Sequence, residues 1–286
     1  MINYNSIDKI IQIALEEDLP WGDITSDNLI PSTSESELAI KLKEDGVIAG
    51  LPVAERVFWT LDPTLKWISL KTDGDYCEKN TILAKVSGKS LSLLKAERVA
   101  LNILQRLSGI ATLTQKFVQA ANQRSDSVRI VDTRKTTPGL RYLEKYAVKM
   151  GGGFNHRYCL SDSVLIKDNH LAILEKENIS LQGALQKIKN TLPHTVKIEV
   201  EVDSINQIKP VLEAGVDAIL LDNMTPDEIR ESIALINNRA EVEVSGGVSL
   251  ETVGEMAATG VALISVGALT HSAISLDISL DYLVLE

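Results

Sequence analysis

Apolar positions in the first part of the chain follow a helical period and then an alternating one. Ile7, Ile10, Ile11, Ala14 and Leu15 recur at helical spacing, which predicts an amphipathic helix over 7–19. Short apolar runs at 38–43, 67–71 and 81–87, divided by turns such as Asp73-Gly74-Asp75, predict strands. Helical spacing returns over 91–107, with Leu93, Ala96, Ala100, Ile103, Leu104 and Leu107 on one face, and Gly109 reads as its stop. A second helix is expected over 112–122.

Beyond that point the rhythm changes. VRIVDTRKT, SVLIKDNH, VKIEVEV, DAILLDN, EVEVSGG and LISVGAL are short apolar runs, most of them ending in polar or glycine residues. Helical patterns fill 206–214, 226–237 and 250–259 between the later ones. Continuous apolar strands alternating with helices indicate parallel strands covered on both faces. Six units in series favour a barrel, although periodicity also admits a doubly wound open sheet. The final stretch, from SAISLDISLDYL on, alternates polar and apolar and is expected to leave the barrel and pack on the first domain.

Composition narrows the classes. With 286 residues, the chain can hold one large α/β domain or a large and a small one. No run approaches the ~20 apolar residues of a membrane span. The start, MINYNSIDKIIQIALEEDL, is amphipathic and acidic, unlike a signal or transit peptide. Cys77 and Cys159 form no metal or redox spacing, so reduced thiols and a cytoplasmic location are expected. A net charge of −10 argues against nucleic-acid binding. Between positions 129 and 170, however, eight Lys and Arg residues face four Asp and Glu. A basic stretch in an acidic chain, set among glycines and short apolar runs, fits the lip of a pocket for a small polyanion.

The strand ends carry the candidate chemistry, as they do in α/β barrels. Arg134 and Lys135, Lys167, Glu201, Asp222, Ser245-Gly246-Gly247, and Ser265 with Gly267 all fall there. Arginine forks bind carboxylates and phosphates in bidentate fashion, and His156 and Arg157 can join them. Glu201 and Asp222 are hard oxygen ligands suited to Mg²⁺ or ribose hydroxyls. The glycines offer backbone N–H groups to phosphate. Together these describe a site for an organic polyacid, a phosphorylated sugar and a divalent metal. The bland alternatives are surface salt bridges, turn glycines and, for Lys167, an aldolase-type Schiff base.

The stretches LNILQRLSGIAT, DTRKTTPGLRYLEKYAVKMGGGFNHR, LIKDNH, IEVEV, LLDNM, SGG and SVGALTHS closely resemble the quinolinate phosphoribosyltransferase family, the carboxylating nicotinate-nucleotide pyrophosphorylases. The resemblance spans essentially the whole chain. It implies an N-terminal α/β sandwich at 1–111, joined by 272–286, and an incomplete parallel α/β barrel of six or seven strands at 112–271. It implies phosphoribosyl transfer from 5-phosphoribosyl-1-pyrophosphate to quinolinate, with release of CO₂ and pyrophosphate, for NAD biosynthesis. Thr133, Arg134, Lys135, His156, Arg157 and Lys167 then bind substrate, with Lys135, Lys167, Glu201 and Asp222 catalytic. Glu201 and Asp222 hold ribose and Mg²⁺. Ser245, Gly246, Gly247, Ser265, Val266 and Gly267 form the phosphate end. Arg106 is expected to enter the pocket of a partner subunit, in a homodimer with shared active sites that can assemble into a hexamer. Gly151-Gly152-Gly153 reads as close backbone packing, and Cys159 and His170 as structural.

Overall fold

The computed structural model describes residues 4–282, so the ends of the expected first domain, 1–3 and 283–286, lie outside the described residues. In chain order the first part contains α1 (Tyr4–Asp18), α2 (Ile24–Leu29), β1 (Glu35–Leu42), β2 (Gly46–Val47), α3 (Leu51–Leu61), β3 (Lys66–Ser69), β4 (Tyr76–Cys77), β5 (Ile82–Lys89) and α4 (Ser90–Asn122). The second part runs β6 (Arg129–Val131), α5 (Arg141–Met150), β7 (Val164–Ile166), α6 (Asp168–Lys176), α7 (Leu181–Thr191), β8 (Ile198–Val202), α8 (Ile208–Glu213), β9 (Ala218–Asp222), α9 (Pro226–Ile236), β10 (Glu241–Ser245), α10 (Val253–Ala257), β11 (Leu263–Ser265), α11 (Ala268–His271) and β12 (Ile278–Tyr282).

Two compact units result. One comprises the chain up to Gln115, Thr136–Gly152 and the residues from Leu269 on; the other comprises Lys116–Lys135 and Gly153–Ala268. The first unit is built on an antiparallel sheet of order β12-β1-β5-β3. Its alternating C-terminal strand adds to the edge of β1, with Ile40 opposite Leu280. Local chemistry fixes its helices. Asp23 caps α2 by accepting the Thr25 and Ser26 N–H groups. Asp73 accepts the N–H groups of Gly50 and Leu51 at the start of α3 and the Tyr146 hydroxyl.

The two expected helices around Gly109 are one helix, α4. Gly109 is not a stop. A Cβ there would lie 2.0 Å from the Ile274 carbonyl oxygen, so the missing side chain admits a crossing backbone. Gly151 works the same way, since its Cβ would sit 2.3 Å from the Ala111 carbonyl oxygen.

The second unit carries a six-stranded parallel sheet of order β6-β11-β10-β9-β8-β7. All six expected strands are present. From β7 to β11 the spatial order is the chain order, yet β6, which precedes them all, pairs with the last of them, β11. Five strands in unbroken chain order, with no switch point, are singly wound as in a barrel and not doubly wound, and the first strand beside the last matches a barrel opened at one seam. On the other edge of β6 a single parallel bridge joins Val131 to Phe154. That short piece is a rudimentary seventh strand, and the barrel is incomplete between it and β7.

Candidate active site

Strand register shows which side chains share the barrel interior. Glu199 lies opposite Leu165 and Ala218, Glu201 and Glu243 both lie opposite Leu220, and Ser245 lies opposite Asp222. Period-two alternation therefore puts Glu199, Glu201, Asp222, Glu243 and Ser245 on one face. Val200, Val202, Ile219, Leu221 and Val244 take the other face and are buried. Aliphatic packing on the outside anchors the strands, which frees the inside for charge.

At the strand ends Lys167, the residue after β7, forms an ion pair with Glu201 of β8. Lys167 is also the N-cap residue of α6, and its backbone N–H donates to His170 Nδ1 at 3.0 Å. His170 thus has the structural task expected of it. Asp222, at the end of β9, accepts from the Asn223 amide at 2.8 Å. The same Asn223 packs where a side chain on Gly246 would stand: a Cβ there would meet its Oδ1 at 2.2 Å, at a φ of +88°. Gly246 is therefore required by both space and backbone. Gly247, also at positive φ, has open space around it. Ser265 is buried and Gly267 half-buried at the end of β11.

The cations belong to the same unit. Beyond β6 the chain presents Thr133, Arg134 and Lys135, with the Lys135 N–H turned back onto Thr133 Oγ1 at 3.0 Å. Lys135 is exposed and Arg134 half-buried. Arg157 donates to the Ser163 carbonyl at 3.2 Å, just before β7. Burial, and then the nearby Arg134 guanidinium, hold the Arg157 pKa below its usual value. The two arginines are thus close enough to repel each other, an arrangement that suits a ligand with two negative groups.

Deeper in the barrel lies a trio only partly foreseen. His156 Nε2 is 3.2 Å from Glu199 Oε2 and 3.4 Å from Glu243 Oε2. The two glutamates stand on β8 and β10 with β9 between them. In a flat sheet those strands would lie roughly 10 Å apart, so one ring reaches both only because the sheet curls. Burial opposes a charge on His156, but the hydrogen bonds to Glu199 and Glu243 outweigh it and push its pKa up to about 10. Burial also raises Glu199. The Arg157 backbone N–H points at His156 Nδ1 at 2.8 Å, so that nitrogen must carry a lone pair. We therefore take the ring as singly protonated, on Nε2, against the pull of the two carboxylates toward a second proton. The signal for Glu243 was the repeat of alternating glutamates in IEVEV and EVEVS.

Arg106 belongs to the other unit, where its guanidinium donates to Glu144 at 2.9 Å and to the Ala273 and Thr270 carbonyls. Entry into a partner subunit's pocket would require the guanidinium to leave these three partners. At the opposite ends of β9, β10 and β11 a cleft of about 450 Å³ is lined by Asp217, Arg239, Glu241 and Gly260. It holds none of the expected site residues.

Residues 23–108 match the family described as quinolinate phosphoribosyl transferase, N-terminal domain, and residues 110–281 match its C-terminal domain. The chain belongs to the quinolinate phosphoribosyltransferase family. It is 41% identical to a probable carboxylating nicotinate-nucleotide pyrophosphorylase of Bacillus subtilis, over 98% of this chain and 94% of that one. A protein of the same name from Methanocaldococcus jannaschii is 40% identical, over 96% of each chain. The crystal structure of NadC from Streptococcus pyogenes superposes with a TM-score of 0.93 at 38% identity, covering 99% of both chains. Human nicotinic acid phosphoribosyltransferase, at 13% identity and a TM-score of 0.58, shares the fold alone. Within the quinolinate phosphoribosyltransferase family the two-part architecture and the curled parallel sheet are therefore as expected.

Proposed function

We propose that this chain transfers phosphoribose from 5-phosphoribosyl-1-pyrophosphate to quinolinate, releasing CO₂ and pyrophosphate and forming nicotinate mononucleotide. The observation that carries the reading is the strand-end row of Lys167, Glu201 and Asp222, with Arg134 and Arg157 in the same unit. Two guanidiniums in that unit suit two adjacent ring carboxylates, each able to take a bidentate contact. Thr133 and Lys135 complete that end.

The acids fit a metal of limited demand. Mg²⁺ characteristically takes one or two protein carboxylates and fills its remaining positions with water and substrate phosphate. Glu201 and Asp222 would hold it, and when bound it would supply neutralisation of the departing diphosphate. Lys167 competes for Glu201 through their ion pair, and diphosphate binding releases the ammonium toward the anion. Ser245, Gly246, Gly247, Ser265, Val266 and Gly267 receive phosphate at the ends of β10 and β11.

These residues act by positioning. Arg134 and Arg157 orient the pyridine nitrogen toward the sugar C1, which converts a bimolecular encounter into a held geometry. Once the C1–N bond forms, the ring is a pyridinium. The electron pair left at C2 when CO₂ departs is stabilised by the adjacent ring cation, and a proton then takes its place. The enzyme acts in the cytoplasm as a homodimer, with hexamers as a further assembly. Arg106 completes a partner's site only by exchanging Glu144 for that role.

The test is acceptor selectivity. Purified protein with 5-phosphoribosyl-1-pyrophosphate and Mg²⁺ is offered quinolinate, nicotinate or nicotinamide. Turnover of quinolinate alone is expected. A preference for nicotinate would replace the dicarboxylate reading with that of a monoacid pyrophosphorylase.

A further inference from the structure

Of the trio inside the barrel, His156 is a candidate substrate ligand, while Glu199 and Glu243 have no part in the chemistry above. The trio's ligand atoms lie within 4.8 Å of one another, so a second metal site is the obvious thought. The hydrogen bonding argues otherwise. With Nδ1 accepting the Arg157 N–H, the single proton of a neutral ring is on Nε2. Nε2 is the atom that would have to bind the metal, and it already points a proton at two carboxylates.

Resting on the proposed function, we infer that Glu199 and Glu243 are positioning residues for quinolinate binding, acting on Arg157 through His156. The glutamates take the Nε2–H from two strands, and the opposite ring nitrogen takes the Arg157 N–H. The His156 N–H donates to Asp132 Oδ1 at 2.9 Å, and Asp132 is fully buried at the end of β6. The peptide carrying Arg157 is thus tied to three strands. That anchoring fixes the backbone from which the Arg157 guanidinium reaches the ligand. Glu243 is 1% exposed, and its Oε1 has no hydrogen-bond partner. A buried carboxyl with one idle oxygen serves the single contact its other oxygen makes.

Two measurements test this. The chain has four histidines, so ¹⁵N-histidine labelling of the intact protein resolves the His156 ring. The Nε2–H tautomer with an unprotonated Nδ1 is expected, unchanged by added Zn²⁺ or Mg²⁺. A doubly protonated ring, or Nε2 shifting on metal addition, overturns the inference whatever any variant does. Kinetics then separates positioning from general structure. Glu243→Gln keeps an acceptor for the ring and should leave the quinolinate KM within about threefold, whereas Glu243→Leu removes it. Loss of about one buried hydrogen bond corresponds to roughly a tenfold rise in quinolinate KM, with the phosphoribosyl pyrophosphate KM unchanged. Equal rises in both KM values, or no rise in a folded Leu variant, overturn it; if Glu243→Leu does not fold, Glu199→Leu gives the same reading. A wild-type protein that ignores quinolinate would sink the proposed function while leaving the tautomer result standing.

Discussion

Glu144 and Glu243 are both buried glutamates, one in each unit, and their surroundings differ. Glu144 is 0% exposed, and both its oxygens are engaged: Oε1 by Arg106 and the Thr137 hydroxyl, Oε2 by the Thr137 N–H. Glu243 is as deeply buried, yet one oxygen has no partner and the other faces a histidine shared with Glu199. A fully satisfied buried carboxylate holds structure together. A partly satisfied one, in a barrel whose interior carries further charge, is kept for a local task, since burying a polar atom without a bond costs free energy. The same contrast separates the sheets. In the barrel, glutamates alternate with valines along β8 and β10, whereas Leu38, Ala39, Ile40 and Leu42 of β1 are buried.

The contrast is broken first at Glu144. Glu144→Ala leaves the Arg106 guanidinium without its carboxylate and should destabilise the fold by about 3–5 kcal/mol in denaturant titration. A loss below about 1 kcal/mol would mean that Arg106 is free to act elsewhere, and would revive its place in a partner subunit's pocket. Gly109→Ala comes next. Its new methyl collides with the Ile274 carbonyl, and a cost of about 2–3 kcal/mol is expected from overpacking in thermal or chemical unfolding. Lys167→Ala should behave in the opposite sense. Its pair with Glu201 is partly exposed, so stability should change by less than about 1 kcal/mol, while turnover falls by about a hundredfold or more. Steady-state assays on a variant with an unchanged unfolding midpoint would show this. Smallest is Arg230→Ala, which removes an exposed i,i+3 pair with Asp227 and should cost about 0.3 kcal/mol with activity intact.

Much of this was legible in the chain. The six barrel strands announce themselves because strands covered on both faces read as unbroken apolar runs. The strand-end residues follow from the same registers. What stayed hidden has identifiable causes. The helix at Leu51–Leu61 is masked by Pro52, which looks like an interruption but sits in the first turn, where proline is tolerated. Gly109 misleads because a helix-stopping glycine and a glycine that admits a crossing chain look identical until the Ile274 backbone is in place. His156 sits among cations in sequence, so it reads as one more of them. Its carboxylate partners come from distant strands, and only curvature brings them to it. Arg106 likewise finds its partner Glu144 through tertiary packing.

The most direct test of the central claim is the stoichiometry of a single turnover. Quinolinate labelled with ¹⁴C in its 2-carboxyl group is mixed with enzyme, Mg²⁺ and 5-phosphoribosyl-1-pyrophosphate. One ¹⁴CO₂ and one pyrophosphate per nicotinate mononucleotide formed is the predicted result, with no ¹⁴CO₂ when the sugar donor is omitted. Pyrophosphate release with the label retained in the nucleotide, or ¹⁴CO₂ evolved without the sugar donor, would contradict the account.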